Sequence, residues 1–269
     1  MIWKNREFWI PSKGPYFIDI DLNTKSVEGK KIEKAVRGYN KKRSGRLCLQ
    51  WSRGLFCGIP FWSKLYSGNT NSIQSLSNEI GSLQQELSIY ASHTLKNVIY
   101  RLDGGYWSPK LLKKLKYAWM IRGPMLKQFE LEKYKKQKNI WQFYSQTTEY
   151  IDLGKQFVAE DIYAKVILIK QVERQMKQVH RNTKPKYIYY PIITNITHWK
   201  AKSLIRHYRG KQIIENHFKE TNQAFFSNKL PCSKLKSNKA FLWFITFAYT
   251  ISNFFKRSTF TNILSANKF

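Results

Sequence analysis

The chain has 269 residues, of which 47 are Lys or Arg and 17 are Asp or Glu, so its formal net charge is +30. With 42% hydrophobic and 16% aromatic residues it has ample material for a buried core, which excludes disorder over most of its length. The length allows one large domain or a core with an insertion. The positive surplus predicts a polyanionic partner, most often nucleic acid.

Cysteine spacing and hydropathy exclude further classes of protein. Cys48, Cys57 and Cys232 form no C-x-x-C pair, so we expect buried thiols and neither a disulfide framework nor a zinc site. The longest apolar stretch, "AFLWFITFAYTI" from Ala240, is too short to cross a bilayer and predicts a core helix. The first residues also lack the apolar segment of a signal peptide. We therefore expect a cytoplasmic protein with no membrane partner.

The first elements predicted along the chain form a three-stranded meander. "YFIDID" from Tyr16 has the β-branched and aromatic residues of a strand, with Asp19 and Asp21 where the strand emerges. Segments from Arg46 and from Ile59 read as two more strands, and a turn cluster of Gly, Asn and Ser follows. We expect the Asp19 side chain to lie on the opposite sheet face from that of Asp21.

A helix and then another strand are predicted next. Apolar residues recur at steps of three and four from Ile73 to Tyr90, the spacing of one helical face. The segment "NVIYRLDGGYWSP" then indicates a short strand that ends at Asp103, a turn at Gly104 and Gly105, and a helix near Ser108. Asp103 is thus expected at the end of a strand.

The remaining chain divides into an insertion and a helical segment. From about Pro124 to Asn195, short aromatic and β-branched runs alternate with Lys- and Gln-rich segments, which predicts a mainly β insertion. A helix is then predicted from near Ala201. On one continuous helix a single stripe would contain Tyr208, Lys211, Glu215 and Asn222.

Two aspartates and one glutamate carry the chemical hypothesis. Phosphodiester chemistry needs an activated attacking oxygen and a neutralised leaving oxygen, and two Mg²⁺ ions held by carboxylates supply both. Hard carboxylate oxygens suit Mg²⁺. For each acid taken alone, spacing favours a surface acid or a helix cap over a metal ligand. His217, two residues after Glu215, is expected to point away from the glutamate's face.

The order of several motifs resembles one transposase family. "DIDLNTKSVEGKK", "RGYNKKRSGR", "YSGNTNS", "RLDGGYWSP" and "YYPIITNIT" followed by "HYRGKQIIENHFKE" are similar to insertion-sequence DDE transposases whose last motif is Y-x2-R-x3-E-x6-K. The likeness runs from about Tyr16 to Lys256. It implies an α/β fold with an RNase H-like mixed-sheet core and flanking helices, interrupted by a mainly β insertion.

The resemblance also implies roles for individual residues. It assigns metal binding and catalysis to Asp21, Asp103 and Glu215, with two Mg²⁺ ions that Mn²⁺ can replace. It assigns contacts with DNA phosphates to Tyr208 and Lys211, and the neighbouring Arg209 is expected to join them. The basic run "RGYNKKRSGR" is either a solvated loop or, as the positive charge favours, a loop in which Lys41, Lys42 and Arg43 contact phosphates.

The chain departs from the motif at two helix positions and ahead of the first aspartate. Lys211 stands where the motif has Arg, and Asn222 stands where it has Lys, so we expect weaker phosphate binding. Members of the family carry a DNA-binding region before the first aspartate, whereas 20 residues precede Asp21 in this sequence. The large positive charge predicts DNA binding that is strong and salt-sensitive. The short segment before Asp21 predicts that this binding is only weakly sequence-selective.

The sequence thus predicts a metal-dependent transposase that cuts and joins DNA strands. Its expected partners are transposon ends and target DNA, with a homodimer on DNA and association with the nucleoid as further expectations. Two alternatives remain: a truncated, non-catalytic transposase relic that binds nucleic acid, and a basic RNA-binding protein of the ribosomal kind. The predicted domains are a short extension over 1–15, the first part of the core over 16–123, the insertion over 124–199, the second part of the core over 200–258, and a tail over 259–269.

Overall fold

The computed structural model describes residues 14–28, 31–38, 45–90, 97–173 and 186–266. These residues belong to two compact units. The first unit comprises residues 1–95 and 212–269, and the second comprises residues 96–211. Each unit contains both strands and helices. Among the described residues, none of the helices has the length and apolarity that a membrane span requires.

The first unit begins with an antiparallel sheet of four strands. Its strands are β1 (Tyr16–Ser26), β2 (Val36–Arg37), β3 (Leu47–Phe56) and β4 (Ile59–Ser67). β3 pairs with β1, with β2 and with β4. Cys57 and Gly58 connect β3 to β4 with positive φ angles of 50° and 85°, as a two-residue hairpin turn with the twist of its strands requires. The predicted meander is therefore confirmed, with β2 added at its edge.

The helix predicted after the meander is two helices. α1 (Ser72–Ser77) ends at Asn78, and α2 (Ile80–Tyr90) follows after a short break. The predicted turn begins α1, because the Asn71 side chain accepts from Gln74 N and the Gln74 side chain accepts from Asn71 N. Leu76 and Leu83 are fully buried, so the predicted apolar face is correct even though the helix is interrupted.

Two later helices, α6 (Gln212–Ala224) and α7 (Leu235–Ala266), cover one face of this sheet. Ile214 and Phe218 of α6 and Leu242 and Ile245 of α7 pack in one cluster with Trp51 and other apolar residues of β3 and β4. The segment predicted as a core helix lies within α7, but only one of its faces is buried. Trp243, Phe244 and Phe247 on the other face are each more than half exposed.

The second unit contains a mixed sheet with the strand order β5-β6-β10-β9-β8-β7. β5 (Val98–Leu102) and β6 (Ala118–Arg122) are parallel and are connected through α3 (Pro109–Lys114), as a parallel pair requires a crossover. The remaining neighbours are antiparallel. These strands are β7 (Gln142–Ser145), β8 (Thr148–Ala159), β9 (Ile162–Val172) and β10 (Tyr187–Thr194).

The insertion is mainly β, as its composition predicts, although it begins with the short helix α4 (Leu131–Lys136). Helix α5 (Ala201–Arg209) closes the second unit. The predicted α/β class, with a mixed sheet and flanking helices, is confirmed. The predicted domain boundaries differ from those of the two units. The first part of the core was expected over residues 16–123, whereas the first segment of the first unit ends at Leu95. The cysteines are free thiols, of which Cys48 is buried and Cys57 and Cys232 are half-buried.

Candidate functional site

Asp19 and Asp21 lie in the middle of β1, not at its end. Pairing between β1 and β3 is unbroken from Ile18 to Ser26, so β1 continues five residues past Asp21. Because side chains alternate along a strand, two residues separated by one share a face, and the expectation that Asp19 points to the opposite face is wrong. Asp19 is fully buried, whereas Asp21 is half-buried and accepts a hydrogen bond from Leu22 N at 2.9 Å.

The sheet face that carries Asp21 also carries a buried arginine. Arg53 lies directly opposite Asp21 in the pairing of β1 with β3. Its guanidinium lies 4.5 Å from the centre of the Trp51 ring, and its three side-chain nitrogens have no hydrogen-bond partner among the described residues. Complete burial lowers the pKa of Arg53 to about 9.

Glu215 lies in the first turn of α6 and is exposed, in the same unit as Asp21. Gln212 Nε2 donates a hydrogen bond to Glu215 Oε2 at 2.9 Å, and the partial positive charge of a helix N-terminus favours a carboxylate in this turn. His217 is on the buried side of α6, as expected, and is 1% exposed. Burial, assisted by the positive charges of Arg53 and Lys25, lowers the pKa of His217 to about 2, so the imidazole is neutral.

Asp103 ends β5 in the second unit, as predicted. Its carboxylate accepts a hydrogen bond from Gly105 N at 3.0 Å and so caps the turn of 3-10 helix over Gly104–Tyr106. The carboxylate is thereby held at the strand end with oxygen lone pairs still available. The turn predicted from the two glycines is what orients this side chain.

Tyr208 lies beside the strand that carries Asp103. Its hydroxyl donates a hydrogen bond to Leu102 O at 3.1 Å. Burial, and then the negative charge of Asp103, raise the pKa of Tyr208 well above its usual value. Tyr208, which was predicted to contact phosphate, therefore stabilises the end of β5 next to Asp103 through this hydrogen bond.

The predicted single helix through Tyr208 and Glu215 is wrong, because the chain breaks between α5 and α6. Gly210 ends α5, and a Cβ atom there would lie 2.2 Å from Arg101 Nη1. That nitrogen donates at 2.7 Å to His207 O, the carbonyl that would accept from Lys211 N in a continuing helix, and Lys211 N instead donates to Tyr208 O at 3.0 Å. Tyr208 and Lys211 consequently belong to the second unit, and Glu215 and Asn222 to the first.

Of the basic residues predicted to contact DNA, Arg209 has contacts within the protein. Arg209 Nη2 donates to Thr148 Oγ1 at 2.6 Å, and its guanidinium lies 4.7 Å from the centre of the Tyr144 ring. Lys211 is 5% exposed. Phosphate contacts by these two side chains stay predictions. Lys41, Lys42 and Arg43 lie outside the described residues.

Asn222 has a partner that the sequence did not reveal. Lys25, which is 2% exposed, donates to Asn222 Oδ1 at 2.6 Å and to Ser227 Oγ at 3.0 Å. The Lys25 ammonium also lies 4.5 Å from the centre of the Trp51 ring. A lysine at position 222, which the motif would have, would place a second ammonium beside that of Lys25. Asn222, which stands where the motif has lysine, thus accepts a hydrogen bond from the buried Lys25 ammonium of β1.

Trp141, the one tryptophan in the insertion between Pro124 and Asn195, has packing contacts. Its Nε1 donates to Tyr134 O at 3.0 Å, and its ring centre lies 5.9 Å from that of Tyr189. Lys170 lies 5.7 Å from the centre of the Trp141 ring, and its ammonium is bonded to Glu149 at 2.6 Å.

The donor chemistry of Asp21, Asp103 and Glu215 suits a hard divalent cation, since all three offer carboxylate oxygens. Asp21 and Glu215 belong to the first unit and Asp103 to the second. Within the described residues, no group of three His, Cys, Asp or Glu side chains is arranged to hold a metal ion. The shared metal site of these three carboxylates stays a prediction.

Comparison with known proteins decides the family. The family model described as "Transposase DDE domain group 1" matches residues 9–268, which is nearly the whole chain. The chain belongs to the DDE transposase family. This membership confirms the resemblance drawn from the ordered motifs, and members of the family generally use divalent metal ions.

One solved structure similar to this DDE transposase chain is the piggyBac transposase in a synaptic complex with hairpin DNA. The two chains are 12% identical, the TM-score is 0.45, and the match covers 88% of this chain. This chain spans about half of that protein, since the match covers 48% of the piggyBac chain. A search of curated proteins finds no match.

Sequence reasoning proposed Asp21 as a site residue but did not predict the two buried cations on the same sheet face. Lys25 and Arg53 share a sheet face with Asp21, because Lys25 is four residues along the same strand and Arg53 is its cross-strand neighbour. The alternation of side chains along β1 could have indicated that Lys25 lies on the same sheet face as Asp21. Nothing in the sequence around Arg53 distinguishes it from a surface arginine.

Proposed function

We propose that this chain is a DNA transposase that hydrolyses phosphodiesters at transposon ends and then transfers the freed strand, with Asp21, Asp103 and Glu215 as its catalytic carboxylates. The observation that carries the proposal is the family match over residues 9–268. Support comes from three acids in the family's order, on β1, at the end of β5 and on α6.

The chemistry has two steps. In the first, a water oxygen bonds to phosphorus at the transposon end, the bond from phosphorus to the 3′ oxygen breaks, and a 3′ hydroxyl is released. In the second, that hydroxyl attacks a phosphorus of target DNA, and the displaced 3′ oxygen of the target takes up a proton. Divalent cations held by the carboxylates activate the attacking oxygen and neutralise the leaving oxygen when they are bound.

The chain's own residues orient the carboxylates for this task. Gly105 N holds Asp103, Gln212 holds Glu215, and Tyr208 supports the strand end next to Asp103. Two Mg²⁺ ions, replaceable by Mn²⁺, are the cations we propose. DNA ends and target DNA are the proposed partners of a homodimer, in the cytoplasm and associated with the nucleoid.

The predicted division of the chain stays part of this proposal. The core would comprise 16–123 and 200–258, the insertion 124–199, and the flanking segments 1–15 and 259–269. The strands β7 to β10 all lie within the proposed insertion. Limited proteolysis that removes residues within 124–199 while the rest stays folded would support this division over the two compact units.

Asp103→Asn tests the catalytic proposal. The substitution keeps an acceptor for Gly105 N but removes the negative charge, so Mg²⁺-dependent nicking and strand joining should fall at least a hundredfold. DNA binding should be unchanged or tighter, because a negative charge near phosphate is removed. The assay uses DNA that carries the element's own ends, in Mg²⁺ and in Mn²⁺.

The control is Asp161→Asn, since Asp161 is an exposed acid in the turn between β8 and β9. It should leave nicking unchanged. A second candidate function is a DNA-binding relic without catalysis, which is favoured by the departures from the family's motif at Lys211 and Asn222. Binding of DNA with no nicking above the Asp103→Asn level would establish the relic.

A further inference from the structure

The connection between α6 and α7 holds an aromatic side chain in an unusual conformation. Phe226 follows the last turn of α6 and has a φ of 53°, in the left-handed region. Helices often end with one residue in this conformation, and glycine is the usual choice because a Cβ atom is unfavourable there. A bulky aromatic residue at that position is a backbone outlier.

The strained backbone conformation does not bury the Phe226 side chain. It is 63% exposed, whereas its neighbour Phe225 packs against the apolar cluster and against Tyr249. Burial of apolar surface therefore does not explain why Phe226 occupies the position. Strained residues that the surrounding structure holds in place are frequently found at binding sites.

A buried network fixes the backbone on both sides of Phe226. Ser227 is fully buried, its N donates to Thr221 O at 3.0 Å, and its hydroxyl donates to Asn222 Oδ1 at 2.7 Å. Lys25 donates to the same Asn222 oxygen and to Ser227 Oγ. Lys229 N then donates to Phe226 O at 3.0 Å. The ring is thus presented to solvent from a rigid support.

The same connection is rich in exposed cations. The ion pairs of the described residues involve other lysines, and the one carboxylate held at this connection, that of Glu33, accepts from Leu235 N at 2.9 Å. The exposed lysines of the connection and of the adjoining parts of α6 and α7 are Lys219, Lys229, Lys234, Lys236 and Lys239. We call these five lysines and Phe226 the α6–α7 surface.

We propose that the α6–α7 surface binds DNA at an unpaired end, with its lysines on the phosphates and the Phe226 ring stacked on an exposed base. Five exposed lysines near one carboxylate are complementary to a phosphate backbone, and an exposed aromatic ring stacks on any base that is free of its own helix. A paired duplex offers no such base away from its ends. The inference deepens the proposed transposase function and names a DNA-contacting site outside the three carboxylates.

The test separates stacking from charge. Binding is measured without divalent ions, by fluorescence of 2-aminopurine in a short single-stranded tail on a duplex, with a blunt duplex as reference. Phe226→Leu should weaken binding of the tailed DNA about tenfold and leave the blunt duplex unchanged. Phe226→Trp, which keeps a stacking ring, should retain the preference.

Phe226→Gly tests whether weaker binding of the tailed DNA results from loss of the ring or from misfolding. Glycine adopts the left-handed conformation without strain, so this variant should be at least as heat-stable as the wild type while losing the preference for tailed DNA. Phe143→Leu is the matched control, because Phe143 is 65% exposed on β7 and has an ordinary backbone. It should bind both DNAs like the wild type.

The triple change of Lys229, Lys234 and Lys236 to Gln should reduce the salt dependence of binding to both DNAs, by up to about 0.9 in the log–log slope for each phosphate that is no longer neutralised. Equal binding of tailed DNA by Phe226→Leu and by the wild type would overturn the proposal. So would unchanged DNA binding in the lysine variant together with altered self-association, which would identify a protein partner. Because no Mg²⁺ is present, these outcomes are independent of whether the chain nicks DNA.

Discussion

Two sheet cations of the first unit and two of the second are accommodated differently. The first unit buries Lys25 and Arg53 between its sheet and its helices, where Lys25 donates to an amide and a hydroxyl oxygen and Arg53 lies over Trp51. The second unit pairs Lys165 with Asp152 at 3.0 Å and Lys170 with Glu149 at 2.6 Å, although its buried Arg101 donates to the neutral His207 O.

This difference has an energetic consequence. A cation paired with a carboxylate at the edge of solvent is replaceable at modest cost, whereas a buried cation held by neutral groups depends on each of those groups. In a chain with 17 acids for 47 basic residues, most cations cannot have a carboxylate partner. The sites of Lys25 and Arg53 should therefore be more sensitive to changes of charge than those of Lys165 and Lys170.

Asn222→Lys should produce the largest effect. The new ammonium would lie where Asn222 Oδ1 now accepts from Lys25 at 2.6 Å, so two positive charges would share a largely buried site. We expect the free energy of unfolding to fall by about 3 kcal/mol, measured by urea denaturation. The result would be notable because lysine is the residue that the resemblance places at this position.

Gln223→Lys is the control for this change, since Gln223 is the next residue of α6 and is exposed. It should change stability by less than about 0.5 kcal/mol. Combining Lys25→Met with Asn222→Lys should recover much of the loss, because one ammonium then remains. Wild-type stability in Asn222→Lys alone would show that Lys25 is not held at this site.

Lys165→Met should have the next largest effect and probes the second unit. The Lys165 side chain is 12% exposed, pairs with Asp152 and donates to Trp199 O at 2.9 Å. Its removal leaves Trp199 O without a donor and the Asp152 carboxylate with Gly154 N but without its cation, which should cost about 2 kcal/mol. Lys186→Met serves as the control, since Lys186 is 73% exposed in its pair with Glu173 and its loss should cost almost nothing.

Much of the architecture could be predicted because it depends on local patterns. β1, β3, β4 and β5 follow from β-branched and aromatic runs, the start of α1 from its capping residues, and the turn after Asp103 from two glycines. These signals lie within a few residues of the structure that they specify. The same is true of the ordered acids, which led to the correct family.

The helix break and the buried cations could not be predicted because they depend on contacts between residues that are far apart in the chain. The helix break at Gly210 depends on the Arg101 side chain, more than a hundred residues earlier in the chain. Likewise the role of Asn222 depends on Lys25, and the environment of Arg53 on α6 and α7. A single sequence contains no periodicity that reports such long-range contacts.

Arg53→Met gives the smallest expected change, and its direction is opposite to that of the other two substitutions. Arg53 is completely buried with three nitrogens that have no partner among the described residues, so folding removes their bonds to water without replacement. The contact with Trp51 offsets only part of that cost. Methionine fills a similar volume without polar atoms, so the free energy of unfolding should be unchanged or should rise by about 1 kcal/mol.

Arg122→Met in the second unit is the matched comparison. The Arg122 guanidinium lies 4.4 Å from the centre of the Tyr190 ring but is exposed, so its loss should cost about 0.5 kcal/mol. A loss of more than about 2 kcal/mol in Arg53→Met would mean that the guanidinium is partnered in the folded protein, by bound water or an anion. In that event Arg53, like Lys25, would be held by direct polar partners, and the contrast with Lys165 and Lys170 would be limited to whether those partners are carboxylates.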